Sequence, residues 1–301
     1  MTTQKDKYSF VHQYNDFISL GGGHITAFLY CGKQPVLFDP GPSAFGPFYL
    51  EQIQKHVDRP EQLILALTHS HYDHCSAAPY LKRKIPGIRT AASLRATQVF
   101  QNPRAVEFIK RLNAEYEEEM AEELAGEDVT FDGLTVDREL SDSDSLELGG
   151  TTRCTVIETP GHTRDSLSYL FPDTGMLFTG DAAGVFEDGF MHSPYLSSYS
   201  DYISSLEEII SLRPAILCIG HNGILTQQVE QFLAEALETA KGHKNMVEAY
   251  LDEYNGDKEK VIARIAAEEY DAVPEHIQKR TPFLLSLEAK VEAIAKMNNG
   301  Q

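Results

Sequence analysis

An α/β fold closed by C-terminal helices is what this sequence predicts, on three observations. Short apolar runs bounded by turns alternate with helical stretches through about the first 225 residues. One of them, Leu63 to Thr68, is almost wholly apolar, the pattern of a strand buried on both faces. After His221 the apolar residues take up helical spacing and keep it to the end of the chain.

The elements follow in order. Tyr8 to Leu20 reads as strand and turn, and Gly21 to Gly23 as a turn. His24 to Tyr30 and Pro35 to Asp39 read as strands, and Phe48 to His56 as a helix. From Ser93 the pattern is helical. Asn102 followed by Pro103 is a favourable N-cap and first helical position. Val106, Ile109, Leu112, Tyr116 and Met120 then recur near helical spacing until Gly126, with Glu117, Glu118 and Glu119 read as a solvated outer face. Glu127 to Gly150 is acidic and turn-rich, with short strands. Thr152 to Thr159, Met176 to Thr179 and Ala215 to Gly220 read as strands. Val229, Phe232, Leu233, Ala236 and Ala240 mark one apolar helix face. Leu284, Leu287, Val291 and Ile294 mark another, which starts at Thr281-Pro282. This pattern predicts a catalytic domain over residues 1–225, with a helical insertion at about 93–126, and a helical cap over 226–301.

Composition narrows the function. With 301 residues, 42% hydrophobic and 24% charged, the chain has the make-up of a water-soluble globular protein. It contains no apolar run long enough to span a membrane and no secretory pattern at its start, so a cytoplasmic location is expected. The formal net charge of -19 repels phosphate backbones and disfavours nucleic-acid binding. Cys31, Cys75, Cys154 and Cys218 form no CxxC pair and are expected as free thiols.

The chemistry lies in the histidines. Thr68-His69-Ser70-His71-Tyr72-Asp73-His74 holds three imidazoles and a carboxylate within six residues, directly after an apolar strand. So many polar groups together are costly to bury without a metal or a dense hydrogen-bond network. His162 in Pro160-Gly161-His162-Thr163, Asp181 in Thr179-Gly180-Asp181 and His221 after Gly220 each follow a strand as well. Four segments therefore offer nitrogen and oxygen ligands at strand C-terminal ends, where open α/β sheets gather ligands. The donor set suits zinc, iron or manganese.

HxHxDH, then a His in a PGHT turn, then Gly-Asp, then Gly-His, resembles the metallo-β-lactamase superfamily over roughly residues 20 to 225. The resemblance implies an αββα sandwich holding two divalent ions at one edge. It implies one ion on His69, His71 and His162, a second on Asp73, His74 and His221, and Asp181 between them. Asp39 resembles the aspartate that orients a ligand histidine in that family. An aspartate at 181, where zinc-dependent lactamases usually carry cysteine, places the chain nearer the glyoxalase, lactonase and thioesterase branches. The implied reaction is hydrolysis by water activated between the ions, with Asp73 and Asp181 as catalytic carboxylates.

A closer likeness, in Thr68 to Leu81 and in Arg111-Leu112-Asn113, is to the PqsE-like thioesterases. It implies an acyl-CoA-type thioester as substrate and a pocket roofed by the C-terminal helices. The segment after Asp181 departs from that family. Val185 stands where an acidic residue is expected, so either the pocket is more apolar or Glu187 supplies the acid. Lys82, Arg83 and Lys84 are candidates for CoA phosphates and equally an ordinary solvated patch. His24 is a candidate donor to substrate, whereas Tyr72 is read as packing. The alternatives are a lactonase, a glyoxalase-type hydrolase with Lys279-Arg280 as its nearest basic pair, or a regulatory protein with incidental hydrolysis. A homodimer is one assembly open to the chain.

Overall fold

The computed structural model describes residues 7–21, 24–187, 189–272 and 280–298; Gly22, Gly23 and Lys279 of the sequence reading lie outside them. Strands β1 (Phe10–Val11), β2 (Gln13–Tyr14), β3 (Phe17–Leu20), β4 (Ala27–Tyr30) and β5 (Val36–Phe38) lead to helix α1 (Gly46–His56). Then come β6 (Ile64–Ala66), α2 (Tyr72–Cys75), α3 (Ala78–Lys84) and β7 (Arg89–Ser93). The insertion is α4 (Leu94–Gln101), α5 (Pro103–Glu119) and α6 (Ala121–Leu124). Strands β8 (Arg138–Leu140), β9 (Ser145–Glu147), β10 (Arg153–Glu158), β11 (Leu167–Phe171) and β12 (Met176–Gly180) follow, then the hairpin β13 (Val185–Glu187) and β14 (Phe190–His192). Helix α7 (Tyr199–Ser211), β15 (Ile216–Ile219) and β16 (Gly223–Leu225) precede the terminal helices α8 (Val229–Glu253), α9 (Lys258–Glu269) and α10 (Arg280–Asn298).

Among the described residues the strands form two seven-stranded sheets, β2-β3-β4-β5-β6-β7-β8 and β1-β16-β15-β12-β11-β10-β9, with β13-β14 apart. The period-two alternation of side chains assigns each strand to two cores. Val36 and Phe38 of β5, Ile64 and Ala66 of β6, Met176 and Phe178 of β12, and Ile216 and Cys218 of β15 all point between the sheets. Leu37 and Leu65 point outward to α1 and α3, with Tyr49 and Ile53. Leu177, Leu217 and Ile219 point the opposite way, into a core shared with Phe232, Leu233, Val261, Leu287 and Val291 of the terminal helices. The result is the expected αββα sandwich. Aromatic rings fill its middle: Phe38 and Phe178 stack across the two sheets at 4.4 Å, and Phe17 and Phe171 meet edge-on at 5.0 Å.

The N-cap expected at Asn102 is present, its side chain accepting from the Arg104 amide at 3.0 Å. Some readings need correction. The chain is not helical directly after His221, because β16 first turns back antiparallel on β15 and accepts β1 on its other edge. Three residues are too few to show a period, so only the neighbouring strands identify it. The strand expected from His24 begins at Ala27, while β11, the β13-β14 hairpin and α7 carry signals that the reading passed over. Glu117 is not merely solvated: its Oε1 accepts from Ser43 Oγ at 2.6 Å. The face of α5 toward the body is partly polar, centred on fully buried Asn113. Asn113 accepts from Ser43 N and Oγ at 2.9 and 3.0 Å and donates to Ser76 Oγ at 2.8 Å. The insertion is thereby joined to the segment that directly follows the His/Asp cluster.

Candidate metal centre

Parallel pairing of β5 with β6, and of β12 with β15, brings their C-terminal ends to one edge of the sandwich. The segments after them carry Asp39, His69 to His74, Asp181 and His221, while the turn after β10 brings His162. Three groups of potential ligands result: His69, His71 and His162; His69, His74 and Asp181; and Asp73, His74 and His221. All seven residues named from the sequence are thus brought together, and the first and third groups are the two ligand sets the resemblance implied. Asp181 lies between them, its Oδ2 3.3 Å from both His162 Nε2 and His221 Nε2. His71, Asp73 and His221 are partly exposed and form the open side, while His69, His74, His162 and Asp181 are buried.

The outward ring nitrogens explain how the inward ones are presented. Asp39 accepts from Thr68 N and from Thr68 Oγ1, each at 2.7 Å. Its Oδ2 also accepts from His74 Nδ1 at 3.0 Å. With its proton given to Asp39, Thr68 Oγ1 is an acceptor for His69 Nδ1–H at 2.9 Å. His162 Nδ1 donates to the Pro194 carbonyl and His221 Nδ1 to the His24 carbonyl. In their neutral form these four imidazoles are held in the tautomer that leaves an Nε2 lone pair facing the centre. His71 faces inward through Nδ1 instead, 3.0 Å from His162 Nε2, which is itself 3.2 Å from His69 Nε2.

Lone pairs this close repel one another unless a cation or proton lies between them. His74 Nε2 and Asp181 Oδ1, 3.6 Å apart, are buried and have no hydrogen-bond partner. Buried polar atoms in that state are costly, and here both are metal-ligand types. The residues therefore fit divalent cations. Glycine at 220 lets the two ligands pack against that turn, since a Cβ there would stand 2.6 Å from His74 Cε1 and 2.8 Å from Asp181 Oδ1. At Gly161, φ is +129° and a Cβ would meet the Tyr202 backbone at 2.2 Å, so only glycine lets the His162 turn close.

The electrostatics divide the centre. Burial and the neighbouring His74, His71 and His162 hold His69 well below the usual histidine range. Burial takes His162 down to about 3 against the pull of Asp181. Burial also opposes charge on His74 and His221, yet there it loses. Asp181 and Asp73, with Asp39 beside His74, raise His74 to about 9, and Asp181 and Asp73 raise His221 to about 10. Burial would raise Asp181, but His221, His74 and His162 keep it well below the carboxylate range. One half of the centre is made of neutral imidazoles and the other is rich in carboxylate.

Other candidates fall outside this centre. Lys82 and Lys84 pair with Asp137 and Glu127, and Arg83 lies 3.7 Å from Asp132, so that basic run is occupied by its own carboxylates. Tyr72 is half-buried, with its ring 6.0 Å from that of Tyr116, which is a packing position. His24 stands at the mouth, its Nδ1 3.3 Å from Glu187 Oε1. The sequence reading missed Thr68 and Pro194. Thr68 adjoins the motif and was legible as its first residue; a backbone carbonyl such as that of Pro194 leaves no signal in a sequence.

The sequence profile of the metallo-beta-lactamase superfamily matches residues 20–221, and the chain belongs to that superfamily. It is 29% identical over 224 residues to a metallo-beta-lactamase fold-containing protein of Sulfurisphaera tokodaii, covering 70% of this chain and 78% of that one. A stretch of 47 residues is 47% identical to a hydroxyacylglutathione hydrolase of Hyphomonas neptunium, 16% of this chain and 18% of that one. A metallo-beta-lactamase family protein of Thermus thermophilus superposes with a TM-score of 0.63 at 18% identity, covering 94% of this chain and 93% of that one, a likeness of fold.

Proposed function

We propose that this protein is a dinuclear metal-dependent thioesterase acting on an acyl-CoA-type thioester, nearest in kind to the PqsE-like thioesterases. The observation that carries the hydrolase reading is the overlap of the ligand groups, which share His69 and His74 and run from one side of Asp181 to the other. Zinc or iron ions, or manganese, held by His69, His71 and His162 and by Asp73, His74 and His221, would supply Lewis acidity, acidifying water and polarising a carbonyl oxygen.

The chain's own residues do the rest. Asp181 sets the spacing between the two ligand groups. Asp39, through Thr68 and His74, fixes the rings so that no reorientation is needed during the reaction. Asp73 is on the open side, its Oδ2 3.7 Å from His221 Nε2. Its carboxylate is placed to take a proton from the attacking water and return it to the departing sulfur. Water oxygen joins the carbonyl carbon, the C–S bond breaks, and acid and thiol leave.

Two observations favour a thioester. The first is the stretch shared with a hydroxyacylglutathione hydrolase, since an S-acyl glutathione is itself a thioester. The second is a groove of about 670 Å³ beside the Pro160–Ser166 segment that carries His162. Arg95, Arg164 and Lys296 line it, and among the described residues neither arginine forms an ion pair. Glu158 and Asp201 line it too. The groove offers the phosphates of CoA a seat that the occupied Lys82–Lys84 run does not.

The test is thiol release from acetyl-, aromatic β-keto- and medium-chain acyl-CoA and from a glutathione thioester, each with and without chelator. Chelator-sensitive release from a CoA ester, with KM raised about tenfold or more in Arg95→Glu/Arg164→Glu, is the expected result. Release from the glutathione ester alone would favour the glyoxalase-type reading. No release from any ester would move the reading to lactones, or to a binding protein.

A further inference from the structure

The terminal helices do more than cover apolar surface. The segment Pro194–Ser198 lies directly on the turn that presents His162. The Pro194 carbonyl accepts from His162 Nδ1. The amides of Leu196, Ser197 and Ser198 all donate to Gly161 O, at 3.2, 3.0 and 3.2 Å, and Ser197 N lies 3.1 Å from His162 O. Ser197 Oγ adds a further bond to Gly161 O at 3.0 Å. In the middle of the segment Tyr195 is fully buried, edge-on to Tyr199 at 5.1 Å. Among the described residues its hydroxyl has no hydrogen-bond partner in the sandwich. It reaches α8, where it lies 2.6 Å from His243 Nδ1.

We propose that His243 of α8, acting through Tyr195 and the Pro194 carbonyl, is a positioning residue for the metal ligand His162. The proposal rests on the reading of His162 as a ligand. The physical reason is leverage. Pro194 has no backbone N–H and a fixed φ, so its carbonyl direction is set by the residues on either side. On one side, the Tyr195 ring is held at its far end by a helix of the cap. Partners that orient a ligand imidazole alter metal affinity when removed, typically ten- to a hundred-fold. His69, His74 and His221 take their orientation from Thr68, Asp39 and His24 respectively. Among the described residues and these four rings, His162 alone is oriented by a segment whose side chain bonds to a terminal helix. On this proposal the cap supports the cation site that His162 belongs to.

The test is stepwise Co(II) binding by chelator competition, together with the visible spectrum of the Co(II) protein, for wild type, Tyr195→Phe, His243→Ala and His243→Asn. Tyr195→Phe keeps the ring and its packing, so its far-UV circular dichroism and melting profile check that the fold is retained. The expected result is a ten- to hundred-fold loss for one of the two cations in Tyr195→Phe and His243→Ala, with a shifted d–d band. The other cation should stay within about twofold. His243→Asn, which keeps a polar partner for the hydroxyl, should recover most of the loss. Variants that bind both cations with wild-type affinity and spectrum, whatever their melting temperature, would overturn the proposal alone. A wild-type chain that takes up no cation would overturn the metal reading and this proposal with it.

Discussion

Asp39 shows how much one side chain can organise. It sits at φ 50°, a conformation Asp and Asn tolerate better than most residues. It holds Thr68 through two hydrogen bonds and His74 through a third. Asp39→Asn keeps the shape and the backbone preference but loses the charge and one acceptor. Metal affinity should fall roughly 10- to 100-fold while the fold persists, as read by chelator competition beside circular dichroism. His69→Ala and Asp181→Ala should abolish hydrolysis and lower bound metal below two per chain; full activity with full metal content in either would overturn the site. His243 makes a different prediction. Burial, then Lys290 and His192, keep it down to about 3 in the folded chain, against an ordinary value of 6.5. Between those values the unfolded chain binds the extra proton. The stability His243 contributes is therefore whole above about pH 6.5 and is lost as pH falls toward 3. In metal-free protein, His243→Gln should flatten that part of the acid-unfolding curve, measured by urea titration at several pH values.

At the scale of elements, the insertion and the terminal helices attach by different physics. Helix α5 is joined through a buried polar residue. Asn113→Ala would leave Ser43 N and Ser76 Oγ without their Asn113 partner, while Ser43 Oγ keeps Glu117, at roughly 1–3 kcal/mol for each group that stays unsatisfied. The loss should appear as a lower urea midpoint, and in reduced metal retention because Ser76 adjoins α2. Helix α8 is joined by apolar packing. Phe232 is fully buried and meets Tyr8 at 5.0 Å. Phe232→Ala should cost about 3–5 kcal/mol. If the terminal helices unfolded independently of the sandwich, this variant would give two separate transitions. Sharing one apolar core with β12 and β15, they should give one.

At the scale of the whole molecule, the two sheets bring five strand ends to one edge, and the cost of doing so is concentrated charge. Divalent cations held there would relieve it and favour the folded state. Chelation should therefore lower the melting temperature, and saturating metal at a hundred times its Kd should restore about 2.7 kcal/mol per site. Differential scanning calorimetry with and without chelator measures this; an unchanged transition would mean that the ligands are already satisfied without metal. Among the described residues no helix is long and apolar enough to cross a membrane.

The sequence by itself determined the candidate ligands. His69, His71, Asp73 and His74 lie so close along the chain that local geometry joins them, and the residues at the other strand ends were legible because a strand's exit fixes where its next residue lies. It also determined the two-faced burial of β6 and the apolar faces of α8 and α10, since period and composition are local properties. Beyond Asp39, which the resemblance had already pointed to, only the tertiary structure decided what holds these residues in place. Thr68 as a relay, the carbonyls of Pro194 and His24, and the tie from His243 to Tyr195 depend on segments 29 to 197 residues apart in the chain or on backbone atoms every residue shares. Tertiary structure likewise took the Lys82–Lys84 run out of use, because the carboxylates that neutralise it come from a part of the chain whose position no local pattern records.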